Sequence, residues 1–163
     1  MKVLLIDDHV MFRQGMKLLL TDLDESLQFM EAGTFAGGMT SLNENGADLI
    51  LLDLNMPDGD GLTALRQIRA DFSSIPLAVV SGEDDPVRIR EMVGEGASGY
   101  IPKSSSSEVL VTALKLIMAG GVYLPPSALD FVAESNHSIA DAQDRARLLS
   151  DRQTAVLLKA IQG

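Results

Sequence analysis

Short apolar runs alternate with helix-forming segments through the first 118 residues, and this alternation restricts the fold more than any other feature of the sequence. Five runs have the character of strands: residues 3–6, 27–32, 48–53, 76–80 and 99–102. The central runs are apolar without alternation, as expected of strands covered on both faces. A strand followed by a helix, five times over, predicts an α/β fold with a five-stranded, doubly wound parallel sheet.

The segments between the runs predict five helices. Apolar residues at three- and four-residue spacing predict the first helix over residues 10–21. The second helix covers residues 35–44, and the third is capped by Asp58 or Asp60 and continues through residue 70. Asp85-Pro86 begins the fourth helix, and Ser106 or Ser107 begins the fifth. The positions predicted to be apolar and inward-facing are Met11, Phe12, Gly15, Met16, Leu18 and Leu19 in the first helix, and Val109, Leu110, Ala113, Leu114 and Ile117 in the fifth.

The pattern changes after Gly120-Gly121, which predicts a helix stop followed by an extended segment with two prolines. We therefore predict a main domain over residues 1–122. Residues 123–148 are predicted to form a linker with a short helix, and residues 149–163 a further helix.

Composition excludes several classes of function. With 13 basic and 23 acidic residues the net charge is −10, so most of the surface should repel nucleic-acid phosphates and anionic membranes. The absence of cysteine excludes disulfides, thiolate metal sites and cysteine nucleophiles. Only four apolar residues precede Asp7, and no run approaches the ~20 needed to span a membrane. These features predict a soluble, cytoplasmic protein.

Polar side chains follow four of the five predicted strands. Asp7 and Asp8 follow the first strand, Asp53 the third, Ser81 the fourth and Lys103 the fifth. Ligands of open parallel sheets bind outside the carboxyl ends of the strands, so these side chains should converge. Three converging carboxylates repel one another unless a hard cation lies among them, and Mg²⁺ is the natural candidate. Each residue alone could simply cap the next helix, but the combination favours a functional site.

Four motifs resemble the receiver domain of two-component response regulators: VLLIDDHVMFRQGM, LILLDLNMPDGDGL, VVSGE and GASGYIPKS. The resemblance covers residues 1–122 and implies a flavodoxin-like (βα)5 fold. It implies that Asp53 is the phosphoacceptor and that Asp7, Asp8, Asp53 and the Asn55 main-chain carbonyl hold Mg²⁺. It also implies that Lys103 pairs with the phosphoryl group.

The same resemblance implies that Ser81 hydrogen-bonds the phosphoryl group after transfer and that Tyr100 is an aromatic switch residue. A receiver is not an enzyme in the usual sense; it is a phosphoacceptor that assists its own phosphorylation and dephosphorylation. Many receivers have proline after the lysine, in a cis bond, whereas this chain has Ser104, so the sequence predicts no isomer there. His9 is predicted to be a surface or helix-capping residue, and His137 to lie in the linker.

The segment from Leu149 to Gly163 resembles the first helix of a LuxR/NarL-type helix-turn-helix domain, although any capped amphipathic helix could have a similar sequence. On this resemblance the helix-turn-helix domain is truncated before its recognition helix. The implied output is transcription regulation, with DNA bound only by a full-length form. The implied partners are a sensor histidine kinase and a second copy of the chain on phosphorylation, with no membrane.

Three alternatives remain open. A stand-alone receiver would signal through protein contacts, with the C-terminal segment as an ordinary helix. An aspartyl-phosphate phosphatase would need a general acid two residues after the nucleophile, where this chain has Asn55. A flavodoxin-like nucleotide binder would need a glycine-rich phosphate loop after the first strand, and the sequence has none there.

Overall fold

The computed structural model describes residues 1–128 and has a five-stranded parallel sheet as its central layer. The order of the strands across the sheet is β2-β1-β3-β6-β7. These strands are β1 (Lys2–Ile6), β2 (Gln28–Ala32), β3 (Leu49–Leu52), β6 (Leu77–Ser81) and β7 (Gly99–Pro102). The remaining strands, β4 (Asn55–Met56) and β5 (Gly59–Asp60), form a small antiparallel hairpin after β3. The predicted doubly wound α/β fold is confirmed.

Five helices cover the two faces of the sheet: α1 (Val10–Leu23), α2 (Phe35–Asn45), α3 (Gly61–Asp71), α4 (Pro86–Gly94) and α5 (Ser107–Met118). One core cluster lies between the sheet and α2, α3 and α4, and contains Leu42, Leu65, Ile68 and Ile89. The other lies between the sheet and α1 and α5, and contains Met16, Leu20, Leu110 and Leu114. None of the helices within residues 1–128 is long and apolar enough to cross a membrane.

The predicted apolar stripe of α1 is wrong at three positions, because the stripe is wider than the face that the sheet covers. Met16 is buried, as is Leu20 one turn later, whereas Met11, Gly15 and Leu18 are exposed. In α5 the predicted inward row is correct except at Val109, which is partly exposed. Val109 lies in the first turn, one position before the buried row starts at residue 110.

The two candidate caps of α3, Asp58 and Asp60, act differently from the prediction. Asp60 occupies the N-cap position of α3, but its side chain makes no capping hydrogen bond and instead accepts one from Arg88 Nη2 at 3.0 Å. Asp58 caps α2, where it accepts hydrogen bonds from the backbone N–H groups of Phe35 and Ala36. The predicted caps of α4 and α5 are confirmed, since Asp85 accepts from Val87 N and Ser106 from Val109 N.

The chain continues to contact the sheet after α5. Tyr123 donates from its N–H to the Ser98 carbonyl and accepts from Tyr100 N, so it extends the sheet beside β7. Ala128 is buried in the same core cluster as Tyr100. Residues 129–163 lie outside the described part, and with them lie most of the predicted linker over 123–148 and all of the predicted helix over 149–163. The predicted domain boundaries therefore stay predictions.

Candidate functional site

The candidate site lies at the carboxyl edge of the sheet, where the parallel strand order brings three strand ends together. Asp7 follows β1 and Asp53 follows β3, and these strands are neighbours. The backbone fixes both residues, because Asp7 N–H donates to the Ala32 carbonyl and Asp53 N–H donates to the Ile6 carbonyl. The predicted convergence of Asp7, Asp8, Asp53 and Lys103 is confirmed by the contacts that follow.

Lys103 is the cation that the structure places against the two most buried carboxylates. Its Nζ lies 2.8 Å from Asp7 Oδ2 and donates a hydrogen bond to Asp53 Oδ2 at 3.2 Å. The side chains of Asp7 and Asp53 are 6% and 2% exposed, whereas that of Asp8 is 38% exposed. The ammonium group also lies 4.7 Å from the centre of the Phe12 ring, a cation–π contact that holds it over the site.

The carboxyl group of Asp53 lies in an environment that disfavours its charged form. Burial raises the pKa of its carboxyl group, and the nearby charge of Asp7 raises it further. Two interactions oppose this shift: Asp53 Oδ1 accepts a hydrogen bond from Asn55 N at 3.2 Å, and Oδ2 pairs with Lys103. The carboxylate is thus held in place by donors on both oxygens while its negative charge is only partly offset.

His9 makes contacts that the sequence did not predict. It occupies the N-cap position of α1 and its side chain is 60% exposed, so the predicted surface position at the start of the helix is confirmed, although the side chain makes no capping hydrogen bond. Instead Nδ1 lies 3.0 Å from Asp7 Oδ1, 3.2 Å from Asp8 Oδ1 and 3.6 Å from Asp53 Oδ2. The sequence places His9 directly after two acids at a strand end, which is consistent with a position near the site. It does not show whether the imidazole ring points toward the carboxylates.

Arg13, one turn into α1, was also missed. Its guanidinium donates to the main-chain carbonyl of Asp7 and forms a 3.1 Å ion pair with Glu31. Lys17 also pairs with Glu31, at 2.9 Å. These contacts fix the start of α1 against the end of β2 and so position the Asp7 backbone.

Ser81 and Tyr100 lie next to this cluster on β6 and β7. Ser81 is buried at the end of β6, where its Oγ accepts a hydrogen bond from Glu83 N at 3.1 Å. Tyr100 is fully buried, and its hydroxyl donates to the Glu83 carbonyl at 2.8 Å. Glu83 therefore connects the two side chains. The bond between Lys103 and Ser104 is trans, as are the other peptide bonds within residues 1–128.

The donor set fits a hard divalent cation. One ligand atom from each of Asp7, Asp8, His9 and Asp53 can be chosen so that all lie within 4.8 Å of one another. Carboxylate oxygens are the ligands that Mg²⁺ prefers, and it needs only one or two of them because it keeps several waters. Asp7 Oδ2 is buried and accepts no hydrogen bond, its neighbour being the ammonium of Lys103.

Comparison with known proteins agrees with this architecture. Residues 3–115 match the response regulator receiver domain. The chain is 36% identical over 129 residues to the glycerol metabolism activator of Pseudomonas putida, covering 78% of this chain and 58% of that protein. It is 32% identical over 162 residues to the transcriptional regulatory protein YdfI of Bacillus subtilis strain 168, covering 99% of this chain and 76% of that protein.

Two solved structures are similar over most of the described residues. A LuxR family DNA-binding response regulator from Silicibacter pomeroyi is 32% identical with a TM-score of 0.68, covering 78% of this chain and 98% of that chain. A LuxR family two-component response regulator from Aurantimonas sp. SI85-9A1 is 26% identical with a TM-score of 0.75, covering 83% and 96%. The chain spans 58% to 76% of the length of the two curated relatives.

Proposed function

The chain belongs to the LuxR/NarL-type response regulators and carries their receiver domain, and we propose that this domain accepts a phosphoryl group on Asp53. The observation that carries the proposal is the position of the Asp53 carboxylate, buried at the centre of the site and held by Asn55 N on one oxygen and Lys103 Nζ on the other. The group so held is a nucleophile of fixed orientation, which in-line phosphoryl transfer requires.

The donor is the phosphohistidine of a sensor histidine kinase. In the transfer an oxygen of Asp53 forms a bond to phosphorus as the bond between phosphorus and the imidazole nitrogen breaks, and the imidazole leaves with that electron pair. No proton has to be removed from a carboxylate nucleophile, so the site needs no general base. Its task is to offset negative charge while two anionic groups approach.

Asp7, Asp8, Asp53 and the main-chain carbonyl of Asn55 are the groups that would hold Mg²⁺. When bound, Mg²⁺ supplies positive charge that offsets the carboxylates and the phosphoryl oxygens. Lys103 would supply a second positive charge and pair with a phosphoryl oxygen. This lysine already contacts both buried acids, so only a small movement of a flexible side chain is required.

Ser81 and Tyr100 are proposed to relay the phosphorylated state. Ser81 Oγ would leave Glu83 N and donate to a phosphoryl oxygen, while the Tyr100 hydroxyl stays bonded to the Glu83 carbonyl. Since both side chains contact Glu83, a movement of Ser81 shifts the loop between β6 and α4. That loop is the part of the surface through which a partner or an output domain would sense the change.

We propose transcription regulation as the output, with a LuxR-type DNA-binding domain beginning at residues 149–163 and a homodimer forming on phosphorylation. The relatives named for transcriptional regulation and DNA binding support this proposal. A receiver that signals through protein contacts alone is the second candidate. Gel filtration with and without beryllofluoride separates the two, because only the first proposal requires a dimer when Asp53 is loaded.

The metal requirement tests the proposed site. Asp8→Ala should abolish phosphorylation by a small acyl phosphate and weaken Mg²⁺ binding in calorimetry, since Asp8 is the most exposed carboxylate of the set and the easiest to reach. Asp22→Asn, an exposed acid on α1 outside the site, is the matched control and should behave like the wild type. Phosphorylation that proceeds without Mg²⁺, or unchanged Mg²⁺ affinity in Asp8→Ala, would refute the proposed metal site.

A further inference from the structure

The His9 ring nitrogen lies among the carboxylates where a cation would be expected. Nδ1 is 3.0 Å from Asp7 Oδ1 and 3.2 Å from Asp8 Oδ1, while Asp53 Oδ2 is 3.6 Å away. Two of these acids are more than nine-tenths buried, and Asp7 Oδ2 accepts no hydrogen bond. The ring therefore faces a set of buried oxygens, although its own side chain is 60% exposed.

These separations are those of ligands around one metal ion. Ligands about 2.1 Å from a cation are about 3.0 Å apart at right angles and about 3.4 Å apart in a tetrahedron. The three distances from His9 Nδ1 fall close to this range. A cation bound to the three oxygens could thus also bind the nitrogen with little movement of the ring.

The surroundings of Nδ1 make conflicting demands on it. The Asp7 carboxylate, 3.0 Å away, can meet Nδ1 only if the nitrogen carries a proton, whereas the Lys103 ammonium, also 3.0 Å away, has no lone pair and can meet Nδ1 only if the nitrogen accepts. One nitrogen cannot do both. A dication bound by the nitrogen lone pair and by the carboxylates removes the conflict at Nδ1, and the Lys103 ammonium then keeps Asp7 and Asp53 as its partners.

We propose that His9 is a ligand of the cation site and that it strengthens the binding of first-row transition dications such as Co²⁺ relative to Mg²⁺. The inference rests on the proposed Mg²⁺ site. Imidazole nitrogen suits transition metals, whereas Mg²⁺ prefers oxygen. His9 is then a determinant of metal choice: it strengthens the binding of a transition dication and contributes little to Mg²⁺.

Calorimetry with Co²⁺ alone and with Mg²⁺ alone tests this selectivity on the unphosphorylated chain. In His9→Ala the Kd for Co²⁺ should rise at least about tenfold, as for loss of a metal-supporting side chain, while the Kd for Mg²⁺ stays within about twofold. His137→Ala removes the other histidine of the chain and should leave both constants unchanged. An equal rise in Kd for the two metals in His9→Ala, or an unchanged Kd for Co²⁺, would refute the proposal.

Proton NMR of the Co²⁺-loaded protein gives a direct signature. A ring bound through Nδ1 keeps its Nε2–H, so the wild type and His137→Ala should show one exchangeable resonance shifted far outside the diamagnetic range. His9→Ala and His9→Asn should lack it, with unchanged thermal unfolding showing that both variants fold. Persistence of the resonance in these variants would overturn the assignment.

The two proposals fail separately. Phosphorylation that does not occur on Asp53, with the Co²⁺ resonance present, would refute the proposed function and leave the His9 ligand intact. Normal Mg²⁺-dependent phosphorylation with no such resonance would refute only the His9 ligand.

Discussion

Lys103 Nζ donates a hydrogen bond to Asp53 Oδ2 at 3.2 Å, although the two residues are 50 positions apart in the sequence. The parallel order of β3, β6 and β7 brings them together, because it places the carboxyl ends of these strands at one edge. The same ammonium lies 2.8 Å from Asp7 Oδ2. A single lysine is thus the counter-ion of two buried carboxylates, and the stability of the domain should depend on it.

Lys103→Met should lower the free energy of unfolding by about 3 kcal/mol at neutral pH, because it leaves Asp7 and Asp53 buried without their cation. Urea unfolding measures the change. Lys115→Met, an exposed lysine on α5, is the matched control and should change it by less than about 0.5 kcal/mol. Asp53→Asn should raise the free energy of unfolding more in the Lys103→Met background than in the wild type, because the uncompensated charge is then removed; equal effects in the two backgrounds would show that the pair is not coupled.

Asp53→Asn alone should stabilise the metal-free protein at neutral pH. Burial and the charge of Asp7 raise the pKa of Asp53 in the folded state, so the unfolded chain loses this proton at lower pH than the folded protein does. The contribution of Asp53 to wild-type stability therefore falls as the pH rises from about 4 through the raised pKa, and the full penalty remains above it. The variant lacks this penalty.

Differential scanning calorimetry across this pH range checks the prediction, since about 1 kcal/mol shifts Tm by about 4 °C in a domain of this size. The Tm difference between Asp53→Asn and wild type should widen with rising pH and then become constant. A lower Tm for the variant at neutral pH would mean that the Lys103 pair outweighs the burial of the charge.

The strand ends could be predicted from the sequence because they depend on local patterns. The apolar runs predict that Asp7, Asp53 and Lys103 lie at strand ends, and the strands of the structure end within one residue of these predictions. Because the strands are parallel, these ends must then lie at one edge of the sheet. The direction of the His9 ring could not be predicted, since it depends on carboxylates from two other points of the site. The exposure of Met11 and Leu18 was not predicted for a related reason. The spacing of apolar residues shows which face of a helix is apolar, but it does not show how much of that face the sheet covers.

Arg69 illustrates a contact that no pattern reveals. Its guanidinium donates to the carbonyls of Gly96 at 2.8 Å and Ile75 at 2.5 Å, so it joins the end of α3 to the loops before β6 and β7. Arg69→Met should cost about 1–3 kcal/mol, because the partly buried carbonyls lose their donor. Arg66→Met, on the same helix but in an exposed pair with Glu95, should cost clearly less, because solvent screens that pair. If urea unfolding shows equal decreases in the free energy of unfolding for Arg69→Met and Arg66→Met, the proposed role of Arg69 in joining α3 to the two loops is contradicted.

Two helical glycines should respond oppositely to substitution by alanine. A Cβ on Gly61 would lie 2.8 Å from Leu54 Cα and 3.0 Å from its carbonyl oxygen, which are backbone atoms that cannot easily move. Gly61→Ala should therefore destabilise the protein by about 1–3 kcal/mol. Gly15 has nothing within 4 Å of its Cβ position, so Gly15→Ala should stabilise α1 by roughly 0.5–1 kcal/mol. Thermal unfolding of both variants would show whether close packing, rather than helix propensity, selects glycine at residue 61.

Intact mass spectrometry after incubation with a small acyl phosphate and Mg²⁺ tests the central claim most directly. The wild type and the control Asp22→Asn should each gain the mass of one phosphoryl group, and Asp53→Asn should gain none. Circular dichroism should show that all three are folded. A phosphoryl mass gain retained by Asp53→Asn, or no gain by the wild type, would contradict the assignment of Asp53 as the phosphoacceptor.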